Sequence, residues 1–261
     1  MKKQKRILFS LVACIFGAGM FLTSLNASSE QEASPLCILR MGDSITRFAA
    51  SDASLVSKLN AAGIKHVMMG SQDWNGHLME GYNGQRIEFF YTLQSKYGGS
   101  YQSQPGEEHV DSIPAQRALE AYSPDIILLM VGVNNLGSPD VPTVDVSGLT
   151  TKLQTLLDRI RQWAPDAHTI ISTVTPADKD YTAWSDMTYR NERHTAFNTQ
   201  VLVPVVQARI DAGQPFSLVD ANAVMDPSTD LSDGVHPNEL GKAKINDVWY
   251  QGIVDLLGES N

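Results

Sequence analysis

One short stretch near the end of the chain could supply the acid and the base of a catalytic site. In LSDGVHPN, residues 231 to 238, Asp233 stands three positions before His236. A histidine next to a carboxylate can act as a general base, but aspartate, glycine, proline and asparagine are also the residues that turns use for backbone reasons. The stretch therefore indicates catalysis only if a nucleophile occurs elsewhere in the chain.

Three earlier stretches each follow an apolar run and are ambiguous when taken singly. They contain Ser44 in GDSIT, Gly84 in EGYNGQRI and Asn134 in GVNN. A serine in such a place caps a helix about as often as it catalyses, while a glycine or an asparagine is an ordinary turn residue. Their order along the chain, together with the Asp-x-x-His stretch, makes a chance occurrence improbable.

The elements that would position these stretches are visible in the pattern of apolar residues. Apolar runs at 35–41, 64–70, 125–132, 168–174 and 215–220 have the length and β-branched content of buried strands. Helical spacing occurs between and after them, at 54–63, 86–98, 148–164, 197–213 and about 239–257, with Pro204 expected to kink or break the fourth helix. This alternation predicts a three-layer α/β/α fold, a flavodoxin-like doubly wound parallel sheet of five strands.

At this point the sequence resembles the SGNH, or GDSL-type, hydrolases. The four stretches follow predicted strands, where the functional residues of open α/β sheets lie. The resemblance covers about residues 36 to 258. It implies that Ser44 is the nucleophile and that Asp233 and His236 complete a catalytic triad. It also implies an oxyanion hole formed by the backbone N–H groups of Ser44 and Gly84 and by the side chain of Asn134.

One position departs from the family's usual pattern. The third stretch usually reads Gly-x-Asn-Asp, and this chain has Asn135 in the last place. The departure affects the local hydrogen bonding of that aspartate rather than the reaction class, so we expect Asn135→Asp to be tolerated. Asn198 falls where the family often has an asparagine that opens a helix, and we expect it to have a structural role only.

A closer similarity is to the acetyl xylan esterases of carbohydrate esterase family 3. It depends on EGYNGQRI, on residues 206 to 241 and on KINDVWY. It implies a serine esterase that hydrolyses acetyl esters of a carbohydrate such as xylan through an acyl-enzyme, with no cofactor and no metal. The alternatives are a GDSL-type lipase, a lysophospholipase or a thioesterase, because a fold does not fix a substrate, or a catalytically idle glycan-binding member.

Aromatic residues in two long loops favour a sugar substrate and a short acyl pocket. Loops 71–84 and 175–190 lack an aliphatic run that could line an acyl tunnel, and aromatic faces with polar neighbours suit sugar rings. The residues concerned are Trp74, His77, Tyr82, Tyr181, Trp184 and Tyr189.

The first 27 residues resemble an export signal. A basic start, MKKQKR, precedes a long apolar run and a stretch of small residues. We expect a signal peptide at 1–27, a linker at 28–35 and an SGNH hydrolase domain at 36–261 of a secreted or periplasmic protein. LVAC, ending at Cys14, also resembles a lipoprotein box, and an uncleaved N-terminal membrane anchor is the third interpretation.

Charge and missing motifs exclude other classes of function. A formal net charge of −9 disfavours nucleic acid as a partner. The chain lacks G-x-S-x-G, H-E-x-x-H, G-x-G-x-x-G and G-x-x-x-x-G-K-[ST]. The acidic stretch EEHVD at 107–111 and the group Asp226, Asp230 and Asp233 are interpreted as solvated loops, so no metal site is expected. The expected partner is a small-molecule or polysaccharide acetyl ester.

Overall fold

The computed structural model describes residues 34–93, 112–137, 141–178 and 189–259. These residues fall within a single compact unit, Ser34–Asn261. The predicted signal segment, with Cys14, lies outside the described residues. Among the described residues, no helix is both long and apolar enough to span a bilayer.

A sheet of seven strands forms the centre of the unit. In chain order they are β1 (Leu36–Gly42), β2 (His66–Met69), β3 (Gln72–Trp74), β4 (His77–Gly81), β5 (Ile126–Met130), β6 (His168–Ser172) and β7 (Phe216–Val219). The five predicted strands are parallel and adjacent in the order β2-β1-β5-β6-β7. All five residues of β5, IILLM, are buried, as expected of a strand covered on both faces. The predicted α/β fold is confirmed.

The prediction of five strands missed a short hairpin formed by β3 and β4. These two strands are antiparallel, and β4 also pairs with the end of β1, in parallel, through Met41 and Gly42. The turn between them is Asn75-Gly76, and both residues have positive φ angles, as a two-residue hairpin turn of type I′ requires. Strands of three and five residues with a mixed polar sequence are too short for a periodicity to reveal them.

Helices cover both faces of the sheet. On one face α1 (Ser44–Ala50) and α2 (Ser54–Ala61) pack with α9 (Glu239–Glu259), and on the other α3 (Pro114–Tyr122), α4 (Val146–Trp163) and α6 (Val203–Asp211) pack together. An additional helix, α5 (Arg190–Phe197), precedes α6, and α7 (Ala221–Val224) and α8 (Pro227–Asp230) lead from β7 towards residues 231–238. The predicted helices at 54–63, 148–164 and 239–257 are present. Within 86–98 the described residues contain only a 3₁₀ turn, Ile87–Tyr91.

The helical segment that contains Pro204 changes type instead of ending. A π-helical turn, Asn198–Leu202, joins α5 to α6, and Pro204 is the second residue of α6. Because proline has no N–H to donate, a wider turn accommodates it without a break in the chain direction. Within this turn the Asn198 side chain bonds to both backbone groups of Val174, each at 2.9 Å. Asn198 therefore ties the helix to the end of β6, which is the structural role expected of it.

Candidate active site

The end of β1 brings Ser44 to the carboxyl edge of the sheet. Ser44 is the first residue of α1 and is buried. The helix cap is the preceding residue, Asp43, whose side chain accepts a hydrogen bond of 3.0 Å from the backbone N–H of Ile45. The structural interpretation of Ser44 as a cap is therefore wrong, and its hydroxyl is available for another partner.

That partner is His236. The Ser44 Oγ lies 2.9 Å from the His236 Nε2, and the His236 Nδ1 lies 2.7 Å from the Asp233 Oδ2. The other carboxylate oxygen, Oδ1, accepts hydrogen bonds from the backbone N–H groups of Val235 and His236 at 3.1 and 2.8 Å. The stretch 231–238 is thus a tight turn and an acid–base pair at once, because the aspartate that holds the turn also holds the imidazole.

Hydrogen bonding sets the charge of Asp233. Its partial burial raises the pKa, but the hydrogen bonds from the backbone and ring of His236 outweigh this effect and hold the pKa of Asp233 below its usual value. An ionised Asp233 fixes the tautomer of His236 with the proton on Nδ1. The Nε2 lone pair then faces the Ser44 hydroxyl, which is the arrangement that a general base requires.

Phe48 is a site residue that the sequence interpretation missed. Its ring stacks on the His236 ring, with centroids 4.6 Å apart and an interplanar angle of 24°. Phe48 also contacts Trp74 in an edge-on arrangement, with the ring centroids 5.3 Å apart. Residues four positions apart on a helix lie on the same face. The spacing from Ser44 to Phe48 was therefore the signal in the sequence that Phe48 lies near the site. The imidazole is held by a bond at each nitrogen and by a ring on its face.

The second and third stretches are hydrogen-bonded to each other. The Asn134 Nδ2 donates to the carbonyl oxygen of Gln85 at 2.9 Å, and the Asn135 Oδ1 accepts from the backbone N–H of Ile87, also at 2.9 Å. An amide nitrogen carries two hydrogens, so Asn134 has a second one to donate. Gly84 has φ +70°, and a Cβ placed there would meet nothing within 4 Å.

Tyr82 was expected to face the substrate together with the other loop aromatic residues, and it does not. Its side chain is 4% exposed, and its hydroxyl donates to the Glu80 carboxylate and accepts from Arg117 at 2.8 Å. Of the other aromatic residues expected near the site, Trp74 lies in the β3–β4 hairpin next to Phe48, and Tyr189 is exposed. Tyr181 and Trp184 lie outside the described residues.

The acidic groups considered for a metal have structural partners. Asp226 accepts a hydrogen bond from the backbone N–H of Ser228, and Asp230 pairs with Lys244 at 2.6 Å. In the part of the chain that the structure describes, no group of three histidine, cysteine, aspartate or glutamate side chains could hold a metal ion. The stretch 107–111 lies outside that part.

Comparison with known proteins decides the family. Residues 41–244 match the GDSL-like Lipase/Acylhydrolase family, and this range includes all four stretches. The chain belongs to this family. Membership confirms the expected SGNH assignment.

The chain is also similar to a curated protein and to several solved structures. A multidomain esterase of Ruminococcus flavefaciens is 27% identical over 272 residues, which cover 100% of this chain and 34% of that protein. The chain thus spans about a third of the length of this curated relative. The structure of a family 3 carbohydrate esterase of Clostridium thermocellum matches 87% of this chain and 98% of its own, with a TM-score of 0.61 and 22% identity. Another, from Talaromyces cellulolyticus, matches 86% and 99%, with a TM-score of 0.59 and 17% identity. These two likenesses show the shared fold.

Proposed function

We propose that this family member is an exported serine esterase that removes acetyl groups from a carbohydrate such as xylan. Ser44, His236 and Asp233 carry out the reaction through an acyl-enzyme. The observation that carries the proposal is the hydrogen-bonded series from Asp233 through His236 to Ser44, with distances of 2.7 and 2.9 Å.

Acylation begins when the Ser44 Oγ attacks the carbonyl carbon of the ester. His236 takes the serine proton on Nε2, and Asp233 stabilises the resulting imidazolium while remaining ionised itself. The tetrahedral intermediate collapses, and the imidazolium gives its proton to the departing alcohol, here a sugar hydroxyl. A water molecule, activated by the same Nε2, then hydrolyses the acetyl-serine and returns Ser44 to its starting state.

The negative charge that develops on the carbonyl oxygen needs hydrogen-bond donors. We assign this role to the backbone N–H groups of Ser44 and Gly84 and to the Asn134 amide. Ser44 is also the first residue of a helix, where backbone N–H groups lack partners within the helix. Each such donor typically contributes about 2.7–4 kcal/mol to transition-state stabilisation.

An acetylated carbohydrate is the substrate that these features and relatives favour. The curated relative is named an esterase, and two proteins of the same fold are named carbohydrate esterases of family 3. The partly exposed Trp74 contacts Phe48, whose ring stacks on the catalytic imidazole, and Arg47 lies over the indole ring. A sugar ring can pack against the exposed part of this indole. The export of the protein is proposed on its N-terminal sequence alone.

The test of the catalytic proposal is the release of p-nitrophenol from p-nitrophenyl acetate. We expect Ser44→Ala to fold and to reduce activity to background, because the nucleophile is lost while a small residue still fits the turn. Ser57→Ala on the exposed side of α2 is the matched control and should retain full activity. Most of the activity remaining in Ser44→Ala would contradict the assignment, and an inactive wild type would favour an idle glycan-binding protein.

The test of the substrate class compares acyl chains and alcohols. We expect acetyl esters to have a much higher kcat/KM than octanoyl esters, because each added methylene gains about 0.8 kcal/mol only where an apolar pocket can bury it. Acetate release from acetylated xylan should exceed release from other acetylated glycans. Faster cleavage of the octanoyl ester would indicate a lipase or a lysophospholipase instead.

A further inference from the structure

We propose that Asn135 and Glu88 form a positioning pair for the reaction, in which residue 135 must be an uncharged amide because the Glu88 carboxylate lies against it. The inference rests on the proposed function, since the backbone that the pair holds follows Gly84 directly. It also accounts for the position at which this chain departs from the usual Gly-x-Asn-Asp pattern.

The first half of the argument concerns the backbone side of Asn135. Ile87 begins a 3₁₀ turn, and the N–H groups at the start of a helix lack partners within it. The Asn135 Oδ1 accepts the hydrogen bond from the Ile87 N–H at 2.9 Å, while Asn134 bonds to the carbonyl of Gln85 at the same distance. Two neighbouring asparagines therefore hold residues 85–87, and with them the peptide of Gly84.

The second half concerns the carboxylate side of the pair. The Asn135 Nδ2 donates to the Glu88 Oε2 at 2.9 Å, and the Lys152 Nζ on α4 lies 2.8 Å from the Glu88 Oε1. Partial burial raises the pKa of Glu88, but the hydrogen bonds from Lys152 and Asn135 outweigh it and hold this pKa below its usual value. Glu88 is thus ionised at neutral pH and offers only acceptor atoms to residue 135.

An amide satisfies both neighbours and a carboxylate does not. Asparagine has an acceptor for the Ile87 N–H and a donor for Glu88. Aspartate at position 135 would keep the acceptor but would place a second carboxylate oxygen about where Nδ2 now lies, 2.9 Å from the Glu88 Oε2. Two ionised carboxylates this close repel each other, so one must take up a proton or a side chain must move. The contact with Glu88 thus reverses the expectation that Asn135→Asp is tolerated.

The consequence for the reaction follows from what residues 85–87 support. Movement of this segment displaces the Gly84 N–H, which we assign to the oxyanion. Oxyanion donors act on the transition state, so a misplaced donor lowers kcat and leaves KM nearly unchanged. A purely structural role for the pair would instead lower the free energy of unfolding and leave the kcat of the folded protein unaltered.

The experiment measures kcat and KM on p-nitrophenyl acetate, and urea unfolding, for the wild type, Asn135→Asp, Glu88→Gln and the double variant. We expect Asn135→Asp to lower kcat about tenfold or more while KM changes less than about twofold. In the Glu88→Gln background the same change should cost less than about threefold, because glutamine can donate to the new carboxylate. Asn60→Asp, an isosteric change with the same charge at an exposed position of α2, is the control.

Each outcome decides the proposal. It is overturned if Asn135→Asp behaves like Asn60→Asp, or if Glu88→Gln leaves the defect unchanged. If Asn135→Asp does not fold, Glu88→Gln must restore the fold, and a double variant that stays unfolded overturns the pairing. A wild type without esterase activity refutes the proposed function separately. In that case the unfolding free energies of the four proteins decide the pairing. Strictly additive effects of the two substitutions overturn it, and a coupling between them supports it.

Discussion

Gly84 differs from the other residues assigned to catalysis because its contribution comes from the backbone alone. Its φ of +70° lies in the left-handed region, which glycine adopts without a steric cost. Ser44, Asp233 and His236 act through side chains whose partners the structure defines. For Gly84 the residue type matters in two ways, through the conformation that it permits and through the open space beside its Cα.

A substitution at Gly84 separates these two effects. An alanine with this backbone conformation costs about 1–2 kcal/mol of stability, and its Cβ would project into the space that the substrate needs. We expect Gly84→Ala to lower kcat/KM at least about tenfold. Gly213→Ala is a matched control, because Gly213 has φ +69° at an exposed position and nothing within 4 Å of an added Cβ. Both should lose similar stability in urea unfolding, and equal kcat/KM values would contradict the assignment of Gly84.

At the scale of elements, the β3–β4 hairpin carries the second stretch to the edge of the sheet. The last residue of β4, Gly81, pairs with Gly42 at the end of β1. Gly84 follows Gly81 by three residues and Ser44 follows Gly42 by two, so both come after the same paired strand ends. A buried cluster fixes this end of the hairpin. The Glu80 Oε1 accepts from the backbone N–H of Ser71 at 2.6 Å, and the Tyr82 hydroxyl lies between Glu80 and Arg117.

The Tyr82 hydroxyl should contribute measurably to the stability of this element. Burial and the neighbouring Glu80 carboxylate hold the pKa of Tyr82 well above its usual value, so the hydroxyl stays protonated and donates to Glu80. Hydrogen bonds to charged groups contribute about 1.5–3 kcal/mol, and we expect Tyr82→Phe to lower the free energy of unfolding in urea by this amount. Tyr250→Phe on α9, where the described residues show no hydroxyl hydrogen bond, is the control. Equal stabilities of the two variants would contradict the role of the cluster.

At the scale of the whole molecule, helix α5 brings titratable groups into the core next to the sheet. His194 is fully buried, and its Nδ1 bonds to the carbonyl oxygen of Thr175, which follows β6, at 2.7 Å. Burial lowers the pKa of His194 to about 4, and the nearby guanidinium groups of Arg190 and Arg193 add to this effect. The folded protein therefore keeps this histidine neutral where an unfolded chain would protonate it.

The stability of the molecule should depend on pH through His194. Between pH 6.5 and about 4 the unfolded chain binds a proton at this side chain and the folded chain does not, so stability falls as the pH falls. We expect the wild type to lose up to about 1.4 kcal/mol more stability per pH unit than His194→Gln. Urea unfolding of both proteins at several pH values measures the difference. Parallel curves would show that His194 does not titrate in this way.

The sequence by itself determined the α/β fold and the positions of the proposed catalytic residues. Five buried parallel strands are continuous apolar runs, which are local features that a reader of the sequence can recognise. The stretches around Ser44 and His236 lie at strand ends, and parallel strands place their carboxyl ends at one edge. The family, its fold and the pairing of Asp233 with His236 could therefore be predicted.

Only the tertiary structure decided which side chains support that site. Phe48 against His236, the Tyr82 cluster with Arg117, and Asn135 with Glu88 join residues from separate elements; the last two contacts span 35 and 47 positions along the chain. The β3–β4 hairpin exists because β1 offers it a free edge beyond β2. Helical spacing can place Phe48 on the face of Ser44, but local periodicity does not show which residue each of these side chains contacts. Their distances depend on how the strands and helices pack, and packing is a property of the whole chain.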